Sequence, residues 1–218
     1  EDYGKPGDPN PAPIYLMFIK YYNNKGELMN NQFVENGQDA IHQHFFTVTN
    51  IKSLLTEQPE ADTETTNYIE YKYVDTTPWN ETFHSGKAQL TGKTNPIGLK
   101  GAIRFLKDRV TMDLKIRLYH GYQGKKDAKP SALQIQRGTW DININVPVVV
   151  YASRADEIAE LDENMDFDKI PENSLSEGSN KFLQAIMKAF GISWKEALMD
   201  YHKVYYTAGD TESGAIWL

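Results

Sequence analysis

The sequence predicts an α+β protein, an antiparallel β-barrel or β-sandwich body followed by a C-terminal helical segment. Three observations lead there. In "DRVTMDLKIRLYHGY", Val110, Met112, Leu114, Ile116 and Leu118 alternate with Thr111, Asp113, Lys115, Arg117 and Tyr119. That period of two buries one face of a strand and wets the other. No helical pattern interrupts the apolar runs from about residue 13 to residue 151, and strands joined without crossover helices pair antiparallel. After Ser153 the apolar spacing shifts to three and four, the period of a helix. The expected units are a linker over 1–12, a β body over 13–152 and a helical segment over 153–218 packed on that body.

The linker comes first. "EDYGKPGDPNPAP" holds prolines, glycines and acids and almost nothing that can enter a core, so it reads as a stiff, extended spacer. A start at Glu1 rather than Met fits a processed precursor or a truncated chain. This opening resembles that of mature extracytoplasmic lipoproteins of Bacteroidetes-type bacteria. The resemblance covers about a dozen residues. It implies a periplasmic or cell-surface location and a lipid anchor upstream of residue 1, and says nothing about activity.

Within the body, "PIYLMFIKYYNNKGELMNNQFV" reads as a strand, an Asn-Asn-Lys-Gly turn and a return strand, with Gly26 supplying the positive φ of the turn. "HFFTVTNI" reads as another strand. "NYIEYKYV" places Ile69, Tyr71 and Tyr73 on one face. "TWDININVPVVVYA" places Trp140, Ile142, Ile144, Val146, Val148 and Val150 on one face, and Pro147, which cannot donate to a ladder, points to an edge strand or a bulge.

The helical segment has its own signals. In "SRADEIAEL", Ser153 caps a helix with Asp156 three residues on. "SNKFLQAIMKAFG" sets Phe182, Leu183, Ile186 and Phe190 on one stripe, with Gly191 as the stop. In "ISWKEALMDYHKVYY", Ser193 and Glu196 form a capping box, and Trp194, Leu198, Tyr201 and Tyr205 share a face. The sheet is the expected partner of that face.

Composition removes several functions. The formal net charge is −7 and the 23 basic residues are dispersed, which argues against nucleic acid or an anionic membrane surface as partner. With no cysteine there is no thiol nucleophile, Cys-ligated zinc or Fe–S cluster. No apolar run approaches the ~20 residues that span a bilayer. "SGKAQLTGKTNP" imitates a phosphate loop, but five residues rather than four separate Gly86 from "GKT", and Pro96 follows where a helix would begin; it reads as a turn. No G-x-S-x-G elbow or triad stands out. A carboxylate pair would leave no local signature, so a hydrolase is the least supported reading. Asn80-Glu81-Thr82 matches a glycosylation sequon, relevant only in a eukaryotic secretory route.

Two stretches carry possible metal ligands. In "AIHQHFF", His42 and His44 fall on one face of a strand, but two imidazoles need a third or fourth donor. That donor would be His84, His120, His202 or a carboxylate brought in by folding. The stretch reads as a strand with two titrating, non-ligand imidazoles. In "LDENMDFDKIPEN", Asp162, Asn164, Asp166 and Asp168 recur with the spacing of a Ca²⁺ loop, but Phe167 stands where the loop needs glycine and Asn173 where it needs the bidentate Glu. It reads as a solvated acidic loop. No cofactor is expected.

Aromatics supply the remaining candidates. Tyr71, Tyr73, Trp79 and Tyr119 could line an apolar cavity or a sugar platform, although strands favour aromatics for packing alone. The expected function is therefore a non-catalytic extracytoplasmic binding protein for an apolar or glycan ligand. A structural or partner-binding component of a cell-surface assembly is the second reading. A filled core with an exposed apolar patch would favour the protein partner.

Overall fold

The computed structural model describes residues 14–122, 124–125, 137–150 and 158–206. The linker over 1–12, the opening of the helix expected from Ser153 and the Tyr205 side chain lie outside the described residues.

The body is a sandwich of two antiparallel sheets rather than a closed barrel. Its long sheet has the order β2–β7–β8, built from β2 (His42–Ser53), β7 (Val110–Gly121) and β8 (Gly138–Val150). Its short sheet has the order β1–β6–β3, from β1 (Tyr15–Phe18), β6 (Lys100–Phe105) and β3 (Ile69–Tyr73). A two-residue pair, β4 (Thr76–Thr77) and β5 (Gln89–Leu90), lies between β3 and β6 in sequence. The alternation in β7 fixes its orientation. Val110, Met112, Leu114, Ile116 and Leu118 are all buried, and the first four join Val48, Ile51, Tyr68, Ile69, Ile103 and Val150 in the core between the sheets.

The hairpin expected over 14–34 is only partly formed. The turn is present, with Gly26 at φ 78° and Asn23 N donating to Glu27 O at 3.0 Å. The return strand reduces to one bridge, Tyr22 to Leu28. A 3₁₀ turn over Asn30–Phe33 follows, and β1 pairs instead with β6. Asn30 explains this choice. Its buried side chain accepts from Tyr21 N and donates to Ile19 O, both at 2.8 Å, so it satisfies backbone groups that a return strand would have paired.

The face expected for β8 changes at one residue. Tyr119 pairs with Trp140 and Leu118 with Ile142, which leaves Asp141 as the extra residue of a bulge. Trp140 therefore lies on the face opposite Ile142 and Ile144. There it packs against Phe45, Tyr119 and the Arg117 guanidinium, 4.3 Å from its ring.

Two helices follow, α1 (Glu177–Phe190) and α2 (Trp194–Tyr206). Helix α1 starts at Ser176, whose side chain accepts from Ser179 N, and ends at Gly191 with φ 65°. Helix α2 opens with the expected capping box: the Glu196 carboxylate accepts from Ser193 N at 2.7 Å and Ser193 Oγ accepts from Glu196 N at 3.3 Å. Leu183 and Ile186 are buried, but Phe190, expected on the same stripe, is 39% exposed. The faces of Trp194, Leu198 and Tyr201 bury against the segment that precedes the helices, not against the sheet. With Ile158, Leu161, Phe167, Leu183, Ile186 and Ala197 they form a second core. Trp194 Nε1 donates to Ile170 O at 3.0 Å, and Tyr201 Oη accepts from Ile158 N at 3.0 Å. Lys188 of α1 pairs with Glu57 of the body.

Candidate functional site at the end of the long sheet

The four aromatic candidates do not share a surface. Tyr71 stacks on Phe46 at 3.9 Å and meets Tyr73 edge-on at 5.1 Å, so both fill the space between the sheets. Burial pushes the Tyr71 hydroxyl well above its ordinary value. Tyr73 Oη donates to His44 O at 2.6 Å. Tyr119 is buried on the opposite face of the long sheet against Phe45 and Trp140. Trp79 sits on a loop and donates to Asn31 Oδ1 at 2.7 Å. A crevice of about 360 Å³ between the body and α1 is lined by the charged Lys52, Glu57, Asp113 and Lys188 together with apolar residues such as Leu54, Met112, Val148 and Ala185, and none of the four aromatic candidates lines it.

The acidic loop also fails to converge. Asp162 Oδ1 accepts from its neighbour Asn164 at 2.9 Å. Asp166 pairs with Lys169 at 2.6 Å and Asp168 with Lys195 at 2.9 Å. Two of the four candidate ion ligands thus pair with lysines, as a solvated acidic loop would, and hydrogen bonds hold the Asp162 and Asp166 carboxyls below the usual carboxylate range.

The histidines behave differently from each other. A 3₁₀ turn over Gln38–Ala40 leads into β2, so His42 opens the strand and pairs in register with His120 at the end of β7. His44 is fully buried and both ring nitrogens are used. A carbonyl can only accept, so Nδ1 carries the proton that goes to Ile97 O at 2.7 Å; Nε2 then accepts from Tyr21 Oη at 2.7 Å. Burial lowers its pKa to about 4, and the neighbouring His42 and Lys125 act in the same direction. His44 is therefore neither a ligand nor a group that titrates near neutrality, which corrects the expectation of two titrating rings. Burial also raises Tyr21 to about 12, consistent with a hydroxyl that stays protonated to donate.

His42 has one nitrogen to spare. Its Nδ1 donates to Gln38 O at 2.9 Å, which turns Nε2 toward Asp141 Oδ2 at 3.4 Å. His120 Nδ1 lies 3.1 Å from the same oxygen, and the two imidazoles meet edge to face at 4.6 Å. The bulge in β8 is what brings Asp141 here. His42 and His120 are cross-strand neighbours that any register-keeping pair would supply; the carboxylate is the added part.

The edge of the sheet next to this site is closed. His44 N donates to Ile97 O at 2.7 Å, Val48 N to Thr65 Oγ1 at 3.2 Å, Ser53 N to Gln58 O at 2.9 Å, and Ile51 O accepts from Glu60 N at 3.0 Å. Lys125 Nζ donates to His42 O at 3.0 Å, and burial lowers its pKa to about 8. The covering segment is itself anchored by Asp75, whose buried carboxylate accepts from the N–H groups of Ile97, Gly98, Leu99 and Lys100 at 2.8–3.1 Å. Gly98 adopts φ 83°, and a Cβ there would lie 2.9 Å from His44 Cβ, so the close approach to β2 depends on glycine.

The other edge is open. Among the described residues the β8 backbone bonds only to β7. Its core-side residues Ile144 and Val146 are 44% and 39% exposed because the short sheet does not reach them. Pro147 signals the edge position of β8 locally, whereas the pairing of His42 with His120 and the freeing of Asp141 are properties of register. Comparison of the chain with known protein families, with curated proteins and with solved structures finds no match.

Proposed function

We propose that the protein is a non-catalytic, extracytoplasmic binding protein whose partner is another polypeptide, added as a strand along β8. One observation carries the reading: the open edge of β8 with its exposed apolar row. A free strand edge presents unpaired N–H and C=O groups, and a partner strand satisfies them while alternate side chains give specificity. Natural edges are usually blunted. Here the bulge at Asp141 and Pro147 do so at two places, and between them Ile142–Val146 carries neither a charge nor a proline. The body core is already filled from both sheets, which favours a surface partner over an enclosed small ligand. The extracytoplasmic location rests on the composition of the opening linker.

The test is photocrosslinking in the native cell, with a photoreactive residue at Asn145 on β8 or at Lys52 on β2. A discrete protein adduct is expected from position 145 and none from position 52. It should disappear in Ile144→Lys/Val146→Lys. Absence of an adduct at 145, or equal adducts at both positions, rejects strand addition on β8.

A further inference from the structure

The histidine end of the long sheet supports a second, separate conclusion. The hydrogen bond from His42 Nδ1 to Gln38 O leaves Nε2 as the unprotonated ring nitrogen of a neutral His42, 3.4 Å from Asp141 Oδ2. An unprotonated imidazole nitrogen and a carboxylate oxygen repel at that distance, and a cation between them would turn the repulsion into attraction. A proton on Nε2 would make His42, which is only 3% exposed, a buried imidazolium. A metal ion would meet the same need and engage His120 as well.

The geometry fits an ion. One ring nitrogen from each histidine and one Asp141 oxygen lie within 4.8 Å of one another. Donors about 2.0–2.1 Å from a tetrahedral metal stand about 3.3 Å apart, and the two separations to Asp141 Oδ2, 3.4 and 3.1 Å, bracket that value. The outer shell is partly built. A carbonyl on the far nitrogen of a ligating histidine fixes its tautomer and orientation, which is what Gln38 O does for His42. Thr139 Oγ1 donates to the other Asp141 oxygen at 3.4 Å. The edge-to-face rings let two nitrogens approach one point without stacking.

We propose that His42, His120 and Asp141 bind one divalent transition metal, with zinc the best fit to two imidazoles and a carboxylate. Three protein donors leave the fourth position of a tetrahedral ion to solvent, on the side where the His120 and Asp141 side chains are 36% and 35% exposed. Among the described residues no other group of His, Asp or Glu side chains brings three ligand atoms this close.

The experiment uses chelator-treated protein titrated with Zn²⁺ and, for its visible spectrum, Co²⁺. One ion per chain is expected, with cobalt absorption of tetrahedral or five-coordinate intensity. Asp141→Asn and His120→Gln should each weaken binding at least tenfold, and Asp166→Ala in the acidic loop should leave it unchanged. The readout that needs no variant is the histidine ring resonances: zinc should shift those of His42 and His120 and leave those of His44 and His84 in place. Folded protein that takes up no ion at submillimolar metal means that a proton alone bridges the cluster, and overturns the proposal. So does a shift confined to other histidines, or binding unaffected by both ligand substitutions.

Discussion

The two edges of the long sheet are built from strands of nearly equal length, 12 and 13 residues, and end in opposite states. On the β2 side, the segment around Ile97 and the turns at Gln58 and Thr65 answer the outward backbone groups one after another. On the β8 side nothing among the described residues does. The difference does not come from hydrophobicity, since β8 is the more apolar strand and the more exposed. It comes from what the intervening chain can anchor. Asp75 holds four consecutive N–H groups and so fixes the part of the cover that meets β2 at His44. The lesson is that an edge is closed by polar anchoring elsewhere in the chain, and that a strand without such an anchor is left available.

Breaking the anchor should have the largest effect. Asp75→Ala leaves four buried N–H groups without their acceptor and is expected to lower stability by about 3–5 kcal/mol, on the scale of removing one member of a buried charged network. Denaturant unfolding of the variant measures this. A loss below about 1 kcal/mol would mean that the cover on β2 stands without Asp75.

Acid should loosen the same edge next. The His44 pKa in the folded protein is about 4, below the ordinary value of about 6.5. Above pH 6.5 the ring is neutral in both folded and unfolded chains, and its contribution is fully present. As pH falls from 6.5 toward 4 the unfolded chain takes the proton first, so stability is lost across that window, by roughly 3 kcal/mol in all. A pH series on wild type and His44→Gln isolates this: the variant should lack that part of the slope. Parallel curves for the two proteins would show that His44 does not carry it.

The smallest effect belongs to the open edge. Ile144→Lys/Val146→Lys, which should abolish the β8 adduct, replaces side chains that are already 44% and 39% exposed. It is expected to change stability by less than about 1 kcal/mol. A larger loss would mean that these residues are covered by the protein's own chain.

Much of this was legible in the sequence, and the rest was hidden for identifiable reasons. The alternation of β7, the edge position implied by Pro147, the capping box at Ser193 and the stop at Gly191 are all local signals, and each describes the folded chain. Strand β6 was not legible: "KGAIRF" is short, carries two charges and a glycine, and owes its place to pairing with β1 and β3. The face of Trp194, Leu198 and Tyr201 is buried as its spacing implies, but its partner is a second core and not the sheet, because a stripe says that it must be buried and not against what. The candidate metal residues show the same limit. The acidic loop offers four donors in seven residues, and two of them pair with lysines instead. His42 has its partners 78 and 99 residues away, at His120 and Asp141, and only the strand register and a single bulge bring them together. Spacing along the chain found the histidine; register found the site.

Native-state amide hydrogen exchange tests the contrast between the edges most directly, because it reads each strand's backbone protection in the unmodified protein. The alternate β8 amides not paired with β7 between Ile142 and Val146 are expected to exchange at least about tenfold faster than the amides of His44 and Val48, whose acceptors are Ile97 O and Thr65 Oγ1. Equal protection on the two strands would contradict that contrast, and would show that β8 is closed by a segment of its own chain.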